Sequence, residues 1–169
     1  SSSRKRQREE SEVDGGVTNS TTASSSSSCN TDSPNDCNEA LKVGIIVPFR
    51  DIHESQKRKA HLDRFCPYMV KFMNEIRPKV GFKIYIIEQS NDGRKFNRGK
   101  LLNIGFDIAR KDGVSVFIFH DVDLLPSREL GASYSTLPLD NQPVHIAKLW
   151  NRYNNDPDYI GGIVAYSRT

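Results

Sequence analysis

The stretch "VSVFIFHDVDLLP", residues 114–126, passes from an apolar segment directly into two carboxylates. Its first half is β-branched or aromatic at almost every position, which predicts a buried strand that ends near Phe119. Asp121 and Asp123 follow at once. Because ionised carboxylates at the edge of a core are costly unless a positive group meets them, this stretch predicts a ligand site at the end of the strand.

Strand and helix patterns alternate on the N-terminal side of this strand. In "KVGIIVPF" at 42–49, the apolar run Val43–Val47, which Pro48 stops, predicts one more strand, and "FKIYIIEQ" at 82–89 predicts another. Residues 61–78 and 96–113 carry apolar side chains at helical spacing. The order strand, helix, strand, helix, strand is typical of a doubly wound α/β sheet. We therefore predict a Rossmann-like, mostly parallel sheet flanked by helices.

Details of these elements extend the prediction. We expect Pro67 in the first turn of the first helix or at a kink, and Pro78 at its end. The second helix is expected to share one apolar face among Leu101, Leu102, Gly105, Ile108 and Ala109. "VHIAKLW" at 144–150 and "IGGIVAYS" at 160–167 predict two further strands.

The first 40 residues differ in composition from the rest. They include "TNSTTASSSSSCNTDSPND" and almost no large apolar side chains, which predicts a disordered Ser-rich stem or linker at 1–40 before a folded domain at 41–169. The formal net charge is +3, and the basic run "RKRQR" is short, so nucleic acid is not an expected partner. No apolar run reaches about 18 residues, so we expect no membrane span within this chain.

The chain has three cysteines, and neither Cys29 nor Cys37 belongs to a C-x-x-C pair. Cys29 and Cys37 lie in the polar tail, where a disulfide and two free thiols remain open alternatives. Cys66 lies in a helical pattern and is expected to be a small core residue.

Chemically distinctive segments follow all three predicted strands: "PFRD", "EQSND" and "HDVD". Ligands bind beyond the carboxyl ends of strands in open α/β sheets, so these segments are expected to meet in one cleft. Paired carboxylates facing a cleft suit Mg²⁺ or Mn²⁺ held together with substrate phosphates. The cationic candidates for phosphate or sugar oxygens are Arg50, Arg58, Arg94, Arg98 and Lys100, and the aromatic candidates for stacking on a base are Phe49 and Phe96. A nucleoside diphosphate bridged by a metal accounts for all three residue types.

Simpler interpretations apply to several of these residues. A single D-x-D stretch also occurs in surface loops. It occurs as well in phosphatases of the haloacid dehalogenase type, which place it after the first strand and follow it with Thr or Val; here Leu124 follows, after the third strand. His120 and His145 are expected to be structural, hydrogen-bonded histidines. Lys148 and Trp150 remain weak candidates for a phosphate or a sugar face, and Asp156 and Asp158 are expected to be solvated loop residues.

Four motifs in register resemble the β-1,4-galactosyltransferases: "VPFRD", "FNRGKLLNIGF", "HDVDLLP" and "YIGGIVAYS". "HDVDLLP" is most similar to the branch that adds galactose to xylose on proteoglycan linkers. The resemblance extends over residues 43–169. It implies a GT-A fold, UDP-galactose as donor, Mn²⁺ (or Mg²⁺) as cofactor, and inverting transfer to a sugar hydroxyl of a glycan or glycoprotein acceptor. It also implies a membrane-anchored full-length protein in the Golgi lumen.

The resemblance assigns roles at matching positions. Asp123 is the implied metal ligand, and Tyr159 is the aromatic residue beside the acceptor and donor sugars. Arg58 precedes "HL" as a family arginine does, provided that "DIHESQK" contains an insertion. The implied donor-binding residues are Pro48, Phe49, Arg50, Arg58, Phe96, Arg98, Asp121 and Val122.

The family's acceptor and catalytic-base segment, a "WGWG" stretch followed by acids, has no counterpart before Thr169, and neither has the histidine that completes its metal site. The resemblance therefore implies the N-terminal, C-terminally incomplete part of the catalytic domain. The catalytic base stays unassigned, and a non-catalytic fragment or pseudoenzyme that binds a nucleotide sugar remains the alternative to an active transferase.

Overall fold

The computed structural model of the protein describes residues 41–148 and 161–168. The predicted stem at 1–40 lies outside the described residues, as do Trp150, Asp156, Asp158 and Tyr159. The strands are β1 (Lys42–Phe49), β2 (Gly81–Glu88), β3 (Val116–His120), β4 (Val144–His145) and β5 (Ile163–Ser167). The α-helices are α1 (Arg58–Ile76) and α2 (Arg98–Lys111), and short 3₁₀ helices span Glu54–Gln56 and Arg128–Tyr134.

The strands form one open, mixed sheet with the order β2-β1-β3-β5-β4. β1 lies between β2 and β3 and pairs in parallel with both, with Ile45 opposite Ile84 on one side and Ile118 on the other. β5 runs antiparallel to both β3 and β4. The predicted α/β class is thus confirmed, with a parallel half that is extended by an antiparallel half.

Helices cover both faces of β1 because every second side chain of a strand points to the same face. Val43, Ile45 and Val47 belong to a core cluster with Phe65 and Met69 of α1. Ile46 belongs to a second cluster with Leu102 and Ala109 of α2. This double burial explains why the β1 sequence is apolar throughout rather than alternating.

The first helix begins earlier than predicted, at Arg58. Its buried residues, Phe65, Met69, Phe72 and Met73, repeat at helical spacing. Pro67 therefore lies inside the helix and not in its first turn, so the first of its two expected positions is wrong, while a kink at Pro67 stays a prediction. Without an N–H group, Pro67 leaves the carbonyl of Asp63 without its usual helical donor.

The second helix packs very closely on the sheet. The Asn97 side chain caps it by accepting a hydrogen bond from the backbone N–H of Lys100, at 3.0 Å. A Cβ at Gly105 would lie 2.4 Å from Cγ2 of Ile46, so only glycine permits this approach. The predicted apolar face was wrong in one member, since Ile108 is 42% exposed.

The two further strands were predicted with unequal success. β5 lies within the predicted segment, whereas the fourth strand contains only Val144 and His145, with Ile146, Ala147 and Lys148 in a turn. Among the described residues, no helix combines the length and the apolar character that crossing a membrane requires.

Candidate functional site: a cleft at the carboxyl ends of the parallel strands

The segments after β1, β2 and β3 surround one cleft of about 680 Å³. Nine of the residues assigned to this site from the sequence line it: Pro48, Phe49, Arg50, Arg58, Phe96, Arg98, Asp121, Val122 and Asp123. Arg94, the sequence candidate after β2, lines it too. Lys100 and Lys148 are exposed and are not among the lining residues. The convergence expected from the sheet topology is present, while the chemical roles of these side chains stay predictions.

Asp121 is the first carboxylate of the cleft and is paired with Arg98. Nε and Nη2 of Arg98 both lie 2.9 Å from Oδ1 of Asp121. The backbone N–H of Asp121 donates to the carbonyl of Gly162, also at 2.9 Å. Gly162 has φ 76°, and a Cβ there would lie 3.0 Å from Cδ1 of Leu124, so glycine suits this position beside Asp121.

Asp123 is the second carboxylate and is paired with Arg58, whose Nη1 lies 3.4 Å from its Oδ2. Its side chain is 18% exposed and also borders a smaller cleft of about 150 Å³ beside His61 and Arg64. Within residues 41–148 and 161–168 there is no group of three or more His, Cys, Asp or Glu side chains that would hold a metal ion alone. The carboxylates that could contribute to a cation site in this cleft are Asp121 and Asp123, and a divalent cation can be held by one or two carboxylates together with ligand phosphates.

Arg50 is almost fully buried at the end of β1. Its Nη1 donates to the carbonyl of Arg94 at 2.6 Å, whereas its buried Nε has no hydrogen-bond partner within the described part of the chain. A buried donor without a partner costs stability unless a ligand supplies the acceptor. Arg50 therefore has hydrogen-bonding capacity that protein atoms of the described residues do not use.

The two aromatic candidates are unequally available to a ligand. Phe49 is 4% exposed and packs in the core cluster of α1, whereas Phe96 is 47% exposed at the cleft. An exposed ring at a binding cleft presents a face on which a nucleobase can stack. Phe96 is thus the better placed of the two for the stacking role.

Gln89 organises the loop that follows β2, a role that the sequence did not reveal. Its backbone N–H donates to the carbonyl of Phe49 at 3.0 Å. Its side chain accepts from the N–H of Asn97 at 2.9 Å and donates to the carbonyl of Lys95 at 3.2 Å. Gln89 thereby fixes the loop that carries Phe96 and leads into α2.

His120 lies directly before the carboxylates and is fully buried. Its Nε2 is 2.8 Å from the hydroxyl of Tyr134, and its Nδ1 is 2.9 Å from the carbonyl of Asp121. Burial lowers the pKa of His120 to about 4, so the ring is neutral at pH 7. The predicted structural role of His120 is confirmed, and His145 likewise contacts the carbonyl of Gly161 at 2.9 Å.

Sequence comparison assigns the chain to a family. Residues 8–134 match the family described as the N-terminal region of glycosyl transferase group 7. The chain belongs to this family.

Several curated proteins are similar to the chain. It is 37% identical over 140 residues to beta-1,4-galactosyltransferase 1 of Mus musculus, an alignment that covers 80% of this chain and 32% of that protein. It is 32% identical over 142 residues to beta-1,4-galactosyltransferase 4 of Homo sapiens, covering 80% and 37% of the two chains. Over 97 residues it is 39% identical to human beta-1,4-galactosyltransferase 6, covering 57% and 23%. The chain thus spans about a third of the length of the first two relatives.

Proposed function

We propose that this chain forms the donor-nucleotide part of a hexosyltransferase that moves galactose from UDP-galactose to a sugar hydroxyl of a glycan acceptor, with inversion. The observation that carries the proposal is the pairing of two carboxylates with two arginines in one cleft, Asp121 with Arg98 and Asp123 with Arg58. The names of the similar proteins support the class of reaction. No acid, base or nucleophile for the acceptor hydroxyl is assigned among the described residues.

The residues of the cleft divide into three roles under this proposal. Phe96 stacks on the uracil ring, because it is the exposed aromatic side chain there. Arg50 and Arg98 contact ribose or diphosphate oxygens, since guanidinium groups bind such oxygens with two parallel hydrogen bonds. Pro48, Phe49 and Val122 form the wall of the nucleotide site.

Asp123 is the residue proposed to hold Mn²⁺, with Mg²⁺ as the alternative. When bound there, the cation would stabilise the negative charge that develops on the departing UDP. Asp121 contacts the donor beside it, and Arg58 contacts a diphosphate oxygen once Asp123 has the cation as its partner. When the donor binds, Asp123 would thus replace Arg58 by the cation as its partner, and Arg58 would replace Asp123 by the diphosphate.

The finer assignments follow the sequence resemblance. "HDVDLLP" favours the branch that uses xylose of a proteoglycan linker as acceptor, and Tyr159 is proposed to contact the sugars. A Golgi-lumenal, membrane-anchored protein is the corresponding location. The alternative is a non-catalytic domain that binds the nucleotide sugar without transfer. A transfer assay with UDP-galactose and a xyloside distinguishes the two.

Nucleotide selectivity tests the proposal. Calorimetry with Mn²⁺ present should show that UDP binds more tightly than GDP or ADP. Phe96→Ala should weaken UDP binding by about tenfold, as expected from loss of a stacked base. The control is Leu139→Ala, which removes an exposed apolar side chain that does not line the cleft and should leave UDP affinity unchanged. Equal affinity for the three nucleotides would contradict a uridine site.

A further inference from the structure

A buried hydrogen-bonded pair lies directly behind the carboxylates. His120 is the last residue of β3, and Tyr134 is the last residue of the 3₁₀ helix Arg128–Tyr134. Both side chains are 0% exposed. The His120 ring also meets Phe65 edge-on at 5.0 Å, and the Tyr134 ring meets Phe72 at 5.1 Å, so both rings are held in place by α1.

The geometry determines which nitrogen of His120 carries the proton. The carbonyl of Asp121 can only accept a hydrogen bond, so Nδ1 must donate to it across 2.9 Å. In the neutral ring Nε2 is then an acceptor, and the hydroxyl of Tyr134 donates to it across 2.8 Å. The Asp121 carbonyl thereby selects the Nδ1-protonated form of the ring, and the Tyr134 hydroxyl, which can donate or accept, holds Nε2 by donating to it in that form.

The Asp121 carbonyl accepts two hydrogen bonds in the loop that carries both acids. It accepts from His120 and also from the backbone N–H of Leu124, at 3.2 Å, which closes a turn over residues 121–124. Asp123 lies inside this turn, one residue before Leu124. Whatever orients the Asp121 carbonyl therefore also orients the peptide groups that carry the Asp123 carboxylate.

We propose that His120 and Tyr134 are positioning residues, and that the chain Tyr134 hydroxyl, His120 ring, Asp121 carbonyl holds the turn at 121–124 in the shape that directs both carboxylates to the cleft. Neither residue contacts the nucleotide. The test by UDP binding rests on the proposed function. The test by the tautomer of His120 does not, because the tautomer is a property of the protein without ligand.

Tyr134→Phe tests the proposal by removing one oxygen atom. Without the Tyr134 hydroxyl, Nε2 of His120 loses its hydrogen bond, so the ring that donates to the Asp121 carbonyl is held less firmly. Mn²⁺-dependent UDP binding should weaken about fivefold, the effect of losing one orienting hydrogen bond. The matched control is Tyr85→Phe, which also removes a hydroxyl from a buried tyrosine; that hydroxyl donates to Asp112 at 2.9 Å and is not part of the cleft. The control should lose stability while its UDP affinity stays that of the wild type.

Nitrogen NMR of the imidazole ring supplies a readout that needs no variant. The wild-type protein should show a protonated Nδ1 and an unprotonated Nε2 at His120, and Tyr134→Phe should keep this tautomer while the Nε2 resonance shifts because its hydrogen bond is lost. A protonated Nε2 in the wild-type protein would overturn the inference. So would unchanged UDP affinity in Tyr134→Phe when the wild type binds UDP. Failure of the wild type to bind UDP would instead contradict the proposed function, with the tautomer still deciding the inference.

Discussion

Arg98, the first residue of α2, places both Nε and Nη2 at 2.9 Å from one oxygen of Asp121, Oδ1. Arg58, the first residue of α1, is paired with Asp123 through Nη1 alone, at 3.4 Å from Oδ2. The starts of both helices thus meet the two acids that follow β3. Because a helix N-terminus carries a partial positive charge, this arrangement concentrates positive potential where a diphosphate is proposed to bind.

The Arg98–Asp121 pair should behave as one unit in nucleotide binding. Arg98→Met and Asp121→Asn are each expected to weaken Mn²⁺-dependent UDP binding by about tenfold, and the double variant by little more than either, because each change disorders the partner. Calorimetry on all four proteins measures this coupling. The control cycle is Lys59→Met with Asp63→Asn, an exposed ion pair of α1 that does not line the cleft. Additive losses at Arg98 and Asp121 would show that the two residues act independently.

Arg58 is expected to affect metal and nucleotide in opposite directions. Arg58→Met removes the cation that competes for Asp123, so Mn²⁺ alone should bind roughly threefold more tightly, as expected for a partly exposed ion pair. UDP binding with Mn²⁺ present should weaken, since a phosphate contact is lost. Calorimetric titrations with Mn²⁺ alone and with UDP measure the two effects. Lys59→Met, one residue further along α1 and outside the cleft, should change neither. If Arg58→Met changed the affinity for Mn²⁺ alone and the affinity for UDP in the same direction, the proposed change of partners at Asp123 and Arg58 would be contradicted.

Gly105 should be essential to the packing of α2 on the sheet. A Cβ there would lie 2.4 Å from Ile46 and 3.0 Å from Ile87, so Gly105→Ala should lower the free energy of unfolding by about 1–3 kcal/mol. Gly99→Ala is the matched control on the same helix, since the nearest atom to its new Cβ would be 3.9 Å away. Helix propensity alone should make that variant as stable as the wild type or more stable, by up to about 1 kcal/mol. Urea unfolding checks both; equal stability of the two variants would contradict the packing.

The fold was predictable because β1 and β3 are apolar on both faces and alternate with helical patterns. The start of α1 was missed because its first turn, Arg58, Lys59 and Ala60, contains no large apolar side chain. Periodicity of apolar residues cannot mark a turn that buries nothing. Ile108 was misassigned because the buried face of α2 is narrow. It consists of Leu101, Leu102, Gly105 and Ala109, and Ile108 lies at its edge, where the side chain is exposed.

The cleft was predictable from residue types at strand ends, since charged groups there need a partner. Gln89 and Tyr134 were missed for a physical reason: both act by hydrogen bonds to a backbone carbonyl or a buried ring, and no spacing in the sequence signals such bonds. Tyr134 lies 14 positions after His120 in the sequence and reaches it from a 3₁₀ helix that no sequence pattern predicted. Only the folded structure shows that the side chains of Tyr134 and His120 are in contact.

The central claim, that Asp123 holds a divalent cation together with the donor diphosphate, is tested most directly by UDP binding to Asp123→Asn at saturating Mn²⁺. The substitution keeps the shape of the side chain and removes its charge. Affinity for UDP should fall at least tenfold, about 1.4 kcal/mol, whereas Asp63→Asn, an exposed carboxylate on α1, should bind as the wild type does. Thermal unfolding of both variants verifies that they are folded. Wild-type, Mn²⁺-dependent UDP affinity in a folded Asp123→Asn protein would contradict the claim.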